Sequence, residues 1–231
     1  MFTEENLLFP TLITKGQRVV SDSEKDNLFS AYLETSTSDG LSMDYLGVNT
    51  VHLDSRFTEI FTDISKVVEN HLKSLSVDTN KIRIYITKSW FNLTNHSNRN
   101  PMHEHAENHL SITYYPHIAE GLEKTLIFHD SNLKRNEPYM SFLSNLHTDL
   151  TYINAKTCEF IPEEGDIFVF PADMIHETGT GEEEFEEPIP FNTIDDVKNS
   201  RFCVGCDVIL TRIDVKDYDH LLTPIEVWKQ F

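Results

Sequence analysis

The chain has 231 residues, enough for one large domain or two small ones, and at 39% hydrophobic and 11% aromatic it can bury a sizeable core. Its 38 acidic and 19 basic residues give a formal net charge of −19, a surface that repels phosphate and disfavours nucleic acid as a partner. No stretch approaches the roughly 18 apolar residues of a membrane span, and the opening Met1-Phe2-Thr3-Glu4-Glu5 lacks the basic start and apolar run of a signal peptide, so a cytoplasmic protein is expected.

In chain order, a weak helix is expected over 24–34. A stronger one covers 54–76, where Phe57, Ile60, Phe61, Ile64, Val67, Val68, Leu72 and Leu75 fall at three- and four-residue steps and form one apolar stripe. Asp54 or Ser55 can cap its start. From Lys81 onward the pattern changes to short strands between turns. Ile82–Ile86 alternates and runs towards Trp90; Leu110–Tyr115 and Thr125–His129 follow; Asp166–Phe170 comes after the turn signal Glu163-Glu164-Gly165; and Arg201–Ile213 closes the series. Such a run of strands predicts a sandwich, jelly roll or barrel behind a helical N-terminal support. Residues 1–80 would be that support and 81–231 the β core of a single domain. The segment 181–199 is acidic, carries prolines and has no periodicity, which reads as an exposed loop, either a surface insertion or a lid around Phe185.

The three cysteines, Cys158, Cys203 and Cys206, suit reduced thiols rather than a disulfide framework. Cys203 and Cys206 stand three apart in an apparent strand, so they point to opposite faces and read as ordinary packing rather than half of a zinc site.

The histidines carry the chemical signal. Three of the 11 lie within seven residues, at His103, His105 and His109. In an extended strand these and Glu107 would share a face, and two neutral imidazoles two residues apart can reach one metal ion. The second half of the pattern is Gly165-Asp166-Ile167-Phe168-Val169-Phe170-Pro171, followed by His176. Pro171 cannot continue as a central strand residue, so the chain turns there and can aim His176 back at the first pair.

The order of these motifs resembles the double-stranded β-helix of the cupin-like 2-oxoglutarate and iron(II)-dependent oxygenases, and within them a branch found in phages and bacteria. The matching residues are Trp90 and Asn92, His103 and His105, Leu110-Ser111, Tyr114-Tyr115, Gly121-Leu122 to Phe128, Phe170-Pro171, His176 and Arg201, with Leu8-Phe9-Pro10 at the start. The resemblance implies an α+β, mainly β, jelly roll flanked by N-terminal helices. It implies a metal site of His103, His105 and His176 for Fe(II), and 2-oxoglutarate as cosubstrate bound by Arg201, Tyr115 and Asn92. Arginine suits that task because its planar guanidinium grips a carboxylate with two parallel bonds.

The usual facial triad of this superfamily is two histidines and a carboxylate. Here His105 stands in the acid's place, and His105-Ala106-Glu107 offers Glu107 as an alternative carboxylate ligand. The expected reaction is hydroxylation of a small-molecule or peptide substrate coupled to decarboxylation of 2-oxoglutarate to succinate. The rival readings are a cupin-type metal enzyme without 2-oxoglutarate and a non-enzymatic jelly-roll protein. A homodimer is the default assembly, and a phage-encoded copy would work in the host cytoplasm.

Overall fold

The structure, a computed structural model, describes residues 11–36, 50–95, 99–105, 107–130, 148–149, 151, 155–179, 191–213 and 222–230. In the N-terminal part of the described residues lie two helices, α1 (Asp22–Ser36) and α2 (Thr58–Ser74). The apolar stripe of α2 behaves as its spacing predicts, with Ile60, Phe61, Ile64, Val68 and Leu72 all buried. Each such side chain contributes about 1.5–3 kcal/mol on leaving water. The helix begins later than expected. Asp54 does cap, but its side chain accepts the Arg56 N–H of a short 3₁₀ turn, Ser55–Phe57, that precedes α2. The first residue before α2 is Phe57, which offers no capping bond.

Among the described residues eight strands follow the order β1 (Thr14–Gln17), β2 (Ile82–Thr94), β3 (Leu110–Ile118), β4 (Leu126–His129), β5 (Thr157–Phe160), β6 (Asp166–Pro171), β7 (His176–Thr178) and β8 (Arg201–Arg212). They form two antiparallel sheets, ordered β1-β6-β3-β8-β2 and β5-β4-β7. This is the mainly β jelly roll that the sequence implies. The sequence patterning does not show β1, β5 or β7, since each has only three or four residues and too little alternation to register.

The larger sheet is buried on both faces, and strand alternation sorts its residues into two cores. Tyr114, Ile167, Val169, Phe202, Val204, Cys206 and Val208 pack into the core with α1 and α2. Their neighbours Tyr115, Phe168, Phe170 and Cys203 turn into a second core with Leu126 and Phe128 of the smaller sheet. Cys203 and Cys206 therefore fall in different cores, and burial pushes the Cys203 thiol up to about 12.

One departure follows from local chemistry. Within the acidic segment, residues 181–190 and Phe185 lie outside the described residues, as does Leu8-Phe9-Pro10. The remainder is not an open loop. Ile194–Lys198 forms a short helix, α3, held by a capping box in which Thr193 Oγ1 accepts the Asp196 N–H and Asp196 accepts the Thr193 N–H. Val197 of this helix and Phe191 just before it are buried. Gly165 makes the turn that the sequence signals: its φ is +92°, and a Cβ there would sit 2.1 Å from the Arg18 carbonyl oxygen.

Among the described residues no helix is long and apolar enough to cross a membrane.

Candidate metal centre

The two sheets converge on a cavity lined by residues of β2, β3, β6, β7 and β8 and of the segment leading into β3. At its centre one ring nitrogen from each of His103, His105 and His176 lies within 4.8 Å of the other two. The backbone fixes this cluster. His103 and His176 form an isolated antiparallel bridge, each N–H donating to the other's carbonyl at 3.0 and 2.9 Å. His105 N–H donates to the Ala172 carbonyl at 2.7 Å. The turn after Pro171 thus clamps His176 against the H-x-H segment, as its spacing suggests.

Each Nδ1 faces an oxygen acceptor. His103 Nδ1 meets the Pro101 carbonyl at 2.7 Å, His176 Nδ1 the Met174 carbonyl at 2.9 Å, and His105 Nδ1 the Asp207 Oδ1 at 2.6 Å. A ring that donates through Nδ1 carries its lone pair on Nε2, the tautomer a metal needs. The Nε2 of His105 is buried and has no hydrogen-bond partner. Burial depresses the basicity of His103, and it brings His176 down to about 3, helped by the neighbouring His103; Phe128 and Phe170 wall His176 with ring centroids at 6.2 and 4.8 Å. Neutral imidazoles are metal ligands; protonated ones are not.

The H-x-H segment is not the extended strand its spacing suggests. Beyond His105 the chain enters a turn, which separates the residues expected to share a face. Glu107 lies exposed and outside the three-nitrogen cluster. His109 points elsewhere and accepts the Leu210 N–H through Nδ1 at 2.8 Å.

Arg201 begins β8 and lines the same cavity, with 2% of its surface exposed. Its guanidinium lies over the Tyr115 ring, 4.6 Å from the centroid, and neither Nε nor Nη2 has a hydrogen-bond partner. A buried cation with unpartnered N–H groups is costly unless an anion meets it. Tyr115 lines the cavity too, and burial holds its phenol neutral, at about 12. Its sequence neighbour Tyr114 faces the other core, where it donates to Glu24 at 2.7 Å and accepts from Arg18 at 2.8 Å. Asn92 also lines the cavity. The structure therefore brings together His103, His105, His176, Arg201, Tyr115 and Asn92.

Sequence reasoning missed two features. Gly205 of β8 lies directly under Trp90: a Cβ there would be 2.5 Å from the indole. Only a bare backbone lets that ring settle against the sheet, and it stands 5.4 Å from the His105 ring. Asp207, 3% exposed, was the other omission. Its signal is a lone acid inside the apolar run 202–210.

A jelly roll that gathers an imidazole cluster and a buried arginine on one cavity can hold a metal ion and an anion side by side. Residues 88–189 match the family described as "Putative 2OG-Fe(II) oxygenase", so the chain is similar to that family over this segment. A comparison with curated proteins finds no match. Among solved structures, the fold is similar to EctD from S. alaskensis, solved with bound Fe, at 11% identity and a TM-score of 0.52, covering 87% of this chain and 73% of that one. It is also similar to HygX from Streptomyces hygroscopicus, solved with nickel and 2-oxoglutarate, at 10% identity and a TM-score of 0.50, covering 86% and 82%. The non-heme alpha ketoglutarate dependent epimerase SnoN from nogalamycin biosynthesis aligns at 10% identity and a TM-score of 0.50, over 90% and 83%. At such identities the likeness is one of fold.

The matched family is described by iron(II) and 2-oxoglutarate, and the donor set here fits both. The unpartnered, buried Nε2 of His105 is a ligand atom awaiting a Lewis acid, and the unpartnered Arg201 nitrogens are donors awaiting a carboxylate.

Proposed function

We propose that this chain is a 2-oxoglutarate-dependent hydroxylase in which His103, His105 and His176 hold iron(II) through Nε2 and Arg201 binds the distal carboxylate of 2-oxoglutarate. The observation that supports this most directly is the buried guanidinium of Arg201, whose Nε and Nη2 lack hydrogen-bond partners, on the same cavity as the three imidazoles. Iron(II) with 2-oxoglutarate supplies the chemistry of the class: oxidation of a substrate C–H bond by dioxygen, with decarboxylation of the cosubstrate to succinate.

The chain's own residues bind, orient and exclude water. Arg201 offers two N–H groups to one carboxylate, with Tyr115 fixing its plane by stacking. Tyr115, as a neutral phenol, can donate a further hydrogen bond to the cosubstrate, and Asn92 can contact cosubstrate or substrate from β2. Phe128 and Phe170 keep water from the His176 side of the cluster. Trp90, partly exposed beside His105, gives the cavity a flat apolar wall for a small-molecule or peptide substrate.

The test is anaerobic addition of iron(II) and 2-oxoglutarate to the metal-free chain. A weak visible absorption band that needs both additions is the expected result. A folded protein that shows no such band, or shows it with iron(II) alone, refutes the reading.

A further inference from the structure

We propose that Asp207 is a positioning residue for the metal centre: it supplies, through the ring of His105, the negative charge that the H-x-H sequence omits from the ligand set. This rests on the three-histidine reading above. Where a facial triad has a carboxylate as its third ligand, this chain has His105, which leaves a bound divalent ion one unit more positive. The structure places an acid one ring further out. Asp207 Oδ1 accepts the His105 Nδ1–H at 2.6 Å, so the imidazole bridges the carboxylate to the side on which a metal would sit.

The three imidazoles differ in this respect. His103 and His176 donate to the backbone carbonyls of Pro101 and Met174, which are neutral acceptors. His105, at the position where an acid is expected, leans through Nδ1 on a charged one. A carboxylate behind a ligating imidazole fixes its tautomer and ring orientation and makes Nε2 a stronger electron donor.

Asp207 is built for this contact. It lies on β8 opposite Ser111 of β3 and is 3% exposed. Ser111 Oγ donates to the same Oδ1 at 2.9 Å, holding it in place for His105. Among the described residues no lysine or arginine pairs with Asp207, and its ion-pair partner is His105. A buried carboxylate without a cation is costly, and a metal-bound imidazole, polarised towards positive charge, is the partner that makes this burial favourable. Parity along β8 carries the arrangement: Arg201, Cys203, Gly205 and Asp207 alternate with residues of the opposite core.

The test is Co(II) titration of the full metal-free chain in wild type, Asp207→Asn, Asp207→Glu and His176→Ala, with the melting temperature of each metal-free protein measured alongside. Asp207→Asn keeps the size and an oxygen acceptor but removes the charge. It is expected to weaken Co(II) binding about 10- to 100-fold with little change in melting temperature, while Asp207→Glu recovers most of the affinity and His176→Ala abolishes binding. Wild-type affinity in Asp207→Asn, with binding lost in His176→Ala, overturns the role of Asp207 alone. Wild-type affinity in His176→Ala overturns the three-histidine reading itself. Should Asp207→Asn not fold, the wild-type chain loaded with Zn(II) still decides. Long-range ¹H–¹⁵N correlations from the carbon-bound ring protons are expected to show His105 with its proton on Nδ1 and metal on Nε2. Metal on Nδ1 overturns the proposal.

Discussion

Replacing Arg201 with methionine separates cosubstrate binding from folding in a way few substitutions can. Methionine roughly preserves the buried volume and the contact with Tyr115, and it removes a guanidinium that is 2% exposed with Nε and Nη2 unpartnered. Each unsatisfied buried donor costs about 1–3 kcal/mol, so the metal- and cosubstrate-free protein should be no less stable than wild type, and more stable if the cation is a net burden. The cosubstrate complex should behave oppositely. Removing one partner of a buried charge pair costs about 2–5 kcal/mol, which is a loss of about 30-fold to several thousandfold in 2-oxoglutarate affinity. At a ligand concentration about 100 times Kd, binding stabilises the wild type by about 2.7 kcal/mol. For a chain of this size that is a rise of roughly 5–11 °C in melting temperature. The assay is an anaerobic thermal melt with Co(II) present, with and without 2-oxoglutarate. The wild type should rise and R201M should not. A full 2-oxoglutarate shift in R201M, or a metal-free R201M destabilised by more than about 2 kcal/mol, refutes the assignment of the guanidinium to an absent anion.

Three further outcomes are expected. His103→Ala and His176→Ala should each lose metal binding by calorimetry while Glu107→Ala keeps it, since Glu107 is exposed and outside the cluster; metal loss in Glu107→Ala alone would move the third ligand. Gly205→Ala should cost about 1–3 kcal/mol in urea unfolding by driving a methyl group into Trp90, and the cost should largely vanish in a Trp90→Ala background; simple additivity would show that the two do not touch. The metal-free protein should lose stability as pH falls below about 6.5, because His176 sits near 3 in the native state against an ordinary 6.5. Between those values the unfolded chain binds more protons, so stability rises with pH there, by up to about 1.4 kcal/mol per pH unit for this group. His103 acts in the same direction. His176→Gln should flatten the slope, and an unchanged slope in that variant would place the titration elsewhere.

The sequence by itself determined the class of fold and picked out residues that the fold gathers on one cavity. Hydrophobic steps of three and four located α2, and alternation located the long strands, because both are periodic burial against a partner and burial is written in side-chain polarity. Proline ended β6 and let His176 return to the H-x-H pair, because a residue without an N–H cannot continue a ladder. Tertiary structure decided what depends on neighbours distant along the chain. β1, β5 and β7 are too short to carry a pattern and exist through the strands they pair with. The larger sheet is buried on both faces, so polarity could not say which parity of β8 faces the cavity. The pairing of β8 with β2 and β3 fixes that parity and puts Arg201, Gly205 and Asp207 on one face. Asp207 lies 102 residues from His105. Its meaning is a hydrogen bond between β8 and the segment that leads into β3, and no local rule reaches that far.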